Sequence, residues 1–410
     1  MSLWHIAWGY IWSRKIPTAI SIIAVALAVG LISSVLTLRE ETRKRFEEEG
    51  QSFDLVVGAK GNPLQLVLST VYYLDSPTGN IPYEDYERLL ALEDVTAAFP
   101  VGMGDTFRGY RIVGTVRELF EFEWGERHAY RLSEGRCFDE PMEAVLGSMV
   151  AERMKLKIGD TFVGTHGFVE GGHVHGSRPY TIVGILERSG TPNDRAIFTD
   201  LESVWDVHAH DKAPEDDGDA ADEHAYDPRS QVTAVLVKLA SPALRFEYER
   251  LINERFNAMA VVPVNEVRKL YDQLLGTAKA VLLAIGYLVV VVSSLTIMLG
   301  LYMAILQRKR DLAIMRALGA TRGEVFGSIL IEALLVTGLG LVVGWVLGAV
   351  VCWGLGIYLT KQFGFHVNAI SFSADLITSY SIVLLMGLAA GLLPAIQAYR
   401  TGVAENLHEN

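Results

Sequence analysis

Six of the ten histidines in the chain fall in two patches. His166, His173 and His175 lie in THGFVEGGHVHGS (165–177), while His208, His210 and His224 lie in or beside an acidic run. On a strand, an H-x-H pair turns both imidazoles to one face. Two such pairs would supply three or four nitrogen ligands for Zn²⁺ or a similar metal, at about 2.0–2.1 Å. Glu170, Asp206 and Asp211 stand close enough in sequence to complete or orient such a site. Three readings stay open: a solvated loop without a special task, a metal or haem site, and a pH sensor. Other chemistry finds no foothold. No G-x-x-x-x-G-K-[ST] loop occurs, and GAKGNP (58–63) is too short and lacks Ser or Thr after its Lys. GLGLVVG (338–344) has the wrong spacing for a dinucleotide site, and HExxH and paired CxxC motifs are missing. Cys137 and Cys352 cannot make a disulfide framework.

The elements that must hold these residues divide sharply by composition. The 410 residues are 50% hydrophobic and 20% charged, with a net charge of −12 and a mean hydropathy of +0.26. That charge argues against a nucleic-acid partner. Residues 39–279 hold 27 Lys+Arg and 42 Asp+Glu, whereas the rest hold 9 and 6, so an acidic domain adjoins a slightly basic apolar part. Residues 16–38 form a charge-free run of 23, long enough as a helix to cross a hydrocarbon core of roughly 30 Å. It is also longer than a signal h-region of about 7–15 residues, so a retained anchor is expected. Three more runs, 280–307, 333–360 and 376–399, lack Asp, Glu, Lys and Arg. Loop 308–327 holds Arg308, Lys309, Arg310, Arg316 and Arg322 against Asp311 and Glu324, while loop 361–375 holds only Lys361. The positive-inside rule then makes 1–15, 308–327 and 400–410 cytoplasmic and puts 39–279 outside.

Within the spans, Gly340, Gly344 and Gly348, and likewise Gly387 and Gly391, recur every four residues and make flat strips for close helix packing. Glu332 sits at the inner edge of its span, within reach of the interface, and reads as structural. Pro394 should kink or end the last helix. Beyond the first span, REETRKRFEEE (39–49) carries opposite charges at i,i+4, followed by Gly50 as a stop. Pro263 and Asn265 start a helix running to 307, so two stalks are expected to leave the membrane. Between them, strand-like runs at 54–58, 110–115, 180–186, 196–199, 233–239 and 258–264 alternate with helical stretches at 82–92, 147–154, 200–206 and 241–257. An α/β sandwich of small βαβ-type units follows. The acid-rich 206–227 reads as a mobile loop.

One run is specific. LQRKRDLAIMRALGATRGEVFGS (306–328) resembles the sequence between the second and third spans of ABC-transporter permeases of the MacB/FtsX/LolC-E superfamily. There a closely similar R-x-x-E-(I/L)-A-(I/L)-(M/L)-R-A-(L/I)-G-A-(T/S) occurs. The match takes in Arg308 and then Asp311 to Thr321, with Asp311 where many relatives have Glu. The one-plus-three order of spans is similar, as are AWGYIWSRKIPTAISIIAVALAVGLISS at the start and GLLPAIQAY (391–399) near the end. KIGDTF (157–162) and YTIVGIL (180–186) resemble the family's periplasmic core domain.

The resemblance implies four transmembrane helices with a large α/β periplasmic core domain between the first two, in a bacterial cytoplasmic (inner) membrane. It implies a mechanotransmission permease that works in pairs, with a second copy or a paralogue, and with two cytoplasmic ATPase subunits that supply ATP and Mg²⁺ chemistry. Arg308, Asp311, Ala313, Ile314, Met315, Arg316, Ala317, Leu318, Gly319 and Ala320 would form the coupling helix that docks on the ATPase. Ile314, Leu318 and Val325 are expected on one apolar stripe of that helix. A periplasmic adaptor or binding protein is a further implied partner. The cargo is open, with a hydrophobic or metal-linked substrate as the first expectation. The rival readings are an FtsX-like scaffold that activates an outer cell-wall hydrolase and a lipoprotein-releasing permease.

Overall fold

A computed structural model describes residues 8–9, 11–122, 130–167, 178–210, 230–308, 314–363 and 368–400. These form two compact units, one of residues 43–272 with 359–366 and one of residues 1–42, 273–358 and 367–410.

The first unit is built on one sheet. Its strands are β1 (Leu55–Gly58), β2 (Ile81–Pro82), β3 (Val95–Phe107), β4 (Tyr110–Thr115), β5 (Leu132–Gly135), β6 (Glu143–Leu146), β7 (Thr161–Phe162), β8 (Thr165–His166), β9 (Tyr180–Leu186), β10 (Ala196–Asp200), β11 (Gln231–Val232), β12 (Ala234–Leu239) and β13 (Met259–Val261). The order is β13-β1-β12-β3-β4-β10-β6-β9-β5, with β7 on β9 and β8 on β3, while β2 and β11 form a separate pair. The expectation of βαβ units holds only in part: the helix Ser148–Met154 lies between β6 and β9, which pair parallel, but most of the sheet is antiparallel. Among these pairings only β10 with β4 and β6 with β9 run parallel. The central strand β3 escaped the sequence reading because VTAAFPVGMGDTF is broken by Pro100 and two glycines. The structure accommodates Pro100 because β3 pairs β12 up to Val101, whereas its pairing with β4 starts at Gly102. The missing N–H therefore precedes the stretch that bonds to β4. Phe198 of β10 is fully buried and packs edge-on against Phe120, Tyr130 and Tyr73. Burying such a ring contributes about 1.5–3 kcal/mol.

Eleven helices of four or more residues are named here. They are α1 (Lys15–Gly50), α2 (Pro63–Thr70), α3 (Tyr83–Leu90), α4 (Glu118–Glu121), α5 (Ser148–Met154), α6 (Leu201–His210), α7 (Arg245–Arg255), α8 (Pro263–Leu270), α9 (Gly276–Gln307), α10 (Arg322–Phe363) and α11 (Ala374–Arg400). Asn62 caps α2, its Oδ1 accepting from Leu64 N at 2.9 Å and Gln65 N at 3.3 Å, with Pro63 at the first position. The stalk expected over 265–307 is not uniform: α8 passes into a π-helical turn, Tyr271–Leu275, before α9. The end of α1 meets the start of α8, since a Cβ on Gly50 would lie 3.0 Å from Val264 Cα. Arg268 Nε also reaches Glu47 Oε1 at 3.3 Å. Of the expected i,i+4 pairs on α1, Arg43–Glu47 forms at 2.9 Å, and buried Glu41 accepts from Asn368 N.

Most of each helix long and apolar enough to cross a membrane falls in the second unit; these helices are Lys15–Lys44, Pro263–Gln307, Arg322–Thr360 and Ala374–Arg400. Hydroxyls tie them together, Ser33 Oγ with Tyr380 OH and Tyr287 OH with Ser379 Oγ, each at 2.9 Å. Lys279 and Arg39 both face Asp375, at 2.9 and 3.8 Å. Pro394 does not end α11, which continues to Arg400. The 206–227 loop is corrected at its start, because α6 runs to His210, and residues 211–227 lie outside the described residues.

Candidate functional site

The 306–328 run forms a corner whose geometry follows from two local signals. Residues 314–317 are helical, and the turn ends in a Schellman motif. Ala320 N donates to Met315 O and Gly319 N to Arg316 O, both at 3.1 Å. Gly319 stands at φ +108, where a side chain would be strained, so glycine is the residue that permits the stop. The next helix begins at once through a capping box. Thr321 Oγ1 accepts from Glu324 N at 3.2 Å, and Glu324 Oε2 accepts from Thr321 N at 2.8 Å. Arg322 then lies 5.8 Å from the Tyr399 ring, which fixes the start of α10 to the end of α11.

This corner pushes apolar surface outward. Leu318 is 84% exposed and Ile314 43%, with Ala317 and Gly319 also exposed and Met315, Arg316 and Ala320 half-buried. Val325 does not continue their stripe. It is fully buried in the core of its unit, because the Schellman stop at Gly319 turns the chain and rotates α10 away from the preceding helix. Asp311 and Ala313 lie outside the described residues.

Behind the corner, Arg308 Nη1 faces Glu332 Oε2 at 3.8 Å, with both side chains about one-tenth exposed. Glu332 therefore turns inward and does not reach out to an interface. Arg14 Nη2 donates to Gln307 Oε1 next door. The glycines form the contacts between helices. A Cβ on Gly340 would lie 2.6 Å from Val25 Cβ, on Gly344 2.6 Å from Val29 Cβ, and on Gly348 2.7 Å from Ser33 Cβ, all on α1. Gly387 and Gly391 of α11 meet Thr337 and Ala333 of α10 in the same way.

Residues 18–255 match the MacB-like periplasmic core domain, and residues 283–403, which include the corner, match the FtsX-like permease C-terminal domain. The chain belongs to the MacB/FtsX superfamily of ABC-transporter permeases. It is similar to the "Macrolide export ATP-binding/permease protein MacB" of Nitrosomonas europaea, 24% identical over 96% of this chain and 57% of that protein. It is also similar to the "Pyoverdine export ATP-binding/permease protein PvdT" of Pseudomonas savastanoi pv. phaseolicola, 23% identical over 96% and 57%. The chain thus spans a little over half the length of these relatives. Among solved structures, the periplasmic region of MacB from Actinobacillus actinomycetemcomitans aligns at 10% identity over 54% of this chain and 95% of its own, with a TM-score of 0.33. The extracellular domain of YknZ from Gram-positive bacteria aligns at 11% identity over 50% and 98%, with a TM-score of 0.31.

The histidines of this MacB/FtsX-family permease are placed unevenly. His166 ends β8 opposite Asp105 of β3. His208 and His210 fall within α6, not on a strand. His173, His175 and His224 lie outside the described residues. Among the described residues, no three His, Cys, Asp or Glu side chains are grouped to hold a metal ion. The sequence reading missed the pairing of Glu332 with Arg308. It also missed the capping box, although its Thr-x-x-Glu signature (Thr321, Glu324) was legible.

Proposed function

We propose that this permease is the membrane subunit of an ABC exporter in a bacterial cytoplasmic membrane. In this reading the 308–327 corner docks on a separate cytoplasmic ATPase, and hydrolysis there drives movements of the outer α/β domain that release or export a substrate. Two permease chains would work with two ATPase subunits. The observation that carries the reading is Leu318, which is held 84% exposed at the tip of a corner rigidified by a Schellman stop and a capping box. An apolar side chain in that position contributes nothing to the chain's own packing. It gains when a partner covers it. The relatives' names, which join ATP-binding to permease and refer to macrolide and pyoverdine export, support small molecules as the cargo class.

The test is co-purification from native membranes through a tag on the full-length chain, with any Walker A protein identified by mass spectrometry. Leu318→Asp puts a charge where the cleft expects apolar surface, a cost of several kcal/mol unless a partner relieves it. The ATPase should accompany the wild type and be lost from the variant. An equal amount with both would remove the corner as the docking surface.

A further inference from the structure

Glu332 is 7% exposed, in the third turn of α10, among Leu301, Ala304, Ile305 and Ile329. Among the described residues, the cations that face it are Arg308 at the end of α9 and Arg14 before α1, which lines a small adjoining cavity with it. Arg308 N is shared between Ala304 O and Ile305 O, each at 3.1 Å, which marks the last turn of α9. Arg14 holds Gln307 and Glu332 holds Arg308. The two residues at the exit of α9 are thus each tied to another helix just before the corner begins.

An apolar pair of similar volume would fill this place at no loss of stability, and often with a gain. What a buried ion pair adds is register. Apolar surfaces slide past each other at little cost, but a slip by one helical position would pull the enclosed charges away from each other. We propose that Glu332 is a positioning residue that, through Arg308, fixes the exit of α9 against α10 and presents the 314–320 corner to the ATPase in one orientation. Glu332 itself touches neither nucleotide nor ATPase. The inference rests on the permease reading above.

The experiment uses the full-length chain with its co-purifying ATPase in lipid nanodiscs. Three variants are compared with wild type: Glu332→Gln, the double Arg308→Met/Glu332→Met, and the swap Arg308→Glu/Glu332→Arg. Thermal unfolding, ATPase recovered per permease, and hydrolysis per ATPase relative to the ATPase alone are measured. The Met/Met chain should unfold at or above the wild-type temperature and still recover the ATPase. Its stimulation of hydrolysis should fall by about tenfold, as it should for Glu332→Gln. The swap should restore most of the stimulation. Wild-type stimulation by the Met/Met complex would overturn the inference, because packing alone would then suffice. A swap no better than Glu332→Gln would overturn it too. If the wild-type chain brings down no ATPase, the permease reading and this inference fall together. An intact complex with charge-independent hydrolysis removes the inference alone.

Discussion

Gly344→Ala isolates the contact between α1 and α10. The added Cβ would stand 2.6 Å from Val29 Cβ, 2.7 Å from Ala26 O and 2.9 Å from Val29 Cγ1. One of these atoms is backbone, so no rotamer change relieves the overlap, and the helices must separate by about 1 Å to reach ordinary contact. Such overpacking costs about 1–3 kcal/mol. Gly338→Ala, on the same helix, is the control, since nothing lies within 4 Å of its Cβ position. Helices separated in lipid remain helical, so alanine's propensity advantage adds little to either variant, and the difference between them is the packing term. Reversible unfolding in mixed micelles, titrated with SDS and followed by tryptophan fluorescence, should put Gly344→Ala about 1–3 kcal/mol below Gly338→Ala. Equal stability of the two would refute the close approach of α1 and α10 at this position.

In the outer domain, Arg136 grips Glu143, which also accepts from Asp139 N at 2.8 Å and Glu140 N at 3.3 Å. The guanidinium hydrogen bond and those backbone donors hold the Glu143 carboxyl down at about 2. A depressed carboxylate contributes stability above its unfolded value, near 4.5, and loses it as pH falls through the folded one. The melting temperature of Arg136→Met should therefore fall less steeply than wild type between those two values, and parallel pH profiles would contradict this. Gly319→Val forces a β-branched side chain to φ +108 and should disturb the corner at a cost of about 1–3 kcal/mol. Recovery of the ATPase should drop while the far-ultraviolet helix signal stays unchanged; undiminished recovery would show that docking tolerates a broken turn.

Several features were legible because they depend on spacing alone. Gly340, Gly344 and Gly348 recur at an interval that puts them on one helix face, and the charge-free runs mark where helices can lie in lipid. Which helix the glycines face is a tertiary fact, and nothing in the run names Val25 or Val29. The sheet was legible in pieces. β1, β4, β9, β10 and β12 stand where β-branched runs announce them, but pairing direction is long-range. β3, which organises the sheet, hides behind Pro100 and its glycines. Val325 shows the opposite failure: its helical spacing from Ile314 and Leu318 is sound, yet Gly319 resets the helix between them. The H-x-H argument for His208 and His210 assumes a strand, whereas the backbone there is still helix, a choice that the acidic composition of the run does not reveal. Glu332 was read by its distance from the span's edge, whereas a cation on another helix decides where its carboxylate points.

The central claim is that the exposed tip at Leu318 meets a cytoplasmic ATPase. A photo-crosslinking amino acid placed at Leu318 in the full-length chain, irradiated in native membranes, tests it directly. The same probe at Leu90, an exposed position on α3 of the sheet-bearing unit, serves as the comparison. A crosslinked band that contains a Walker A protein is expected from position 318, and no such band from position 90. Adducts to lipid alone from 318, or a Walker A adduct from 90, would contradict it.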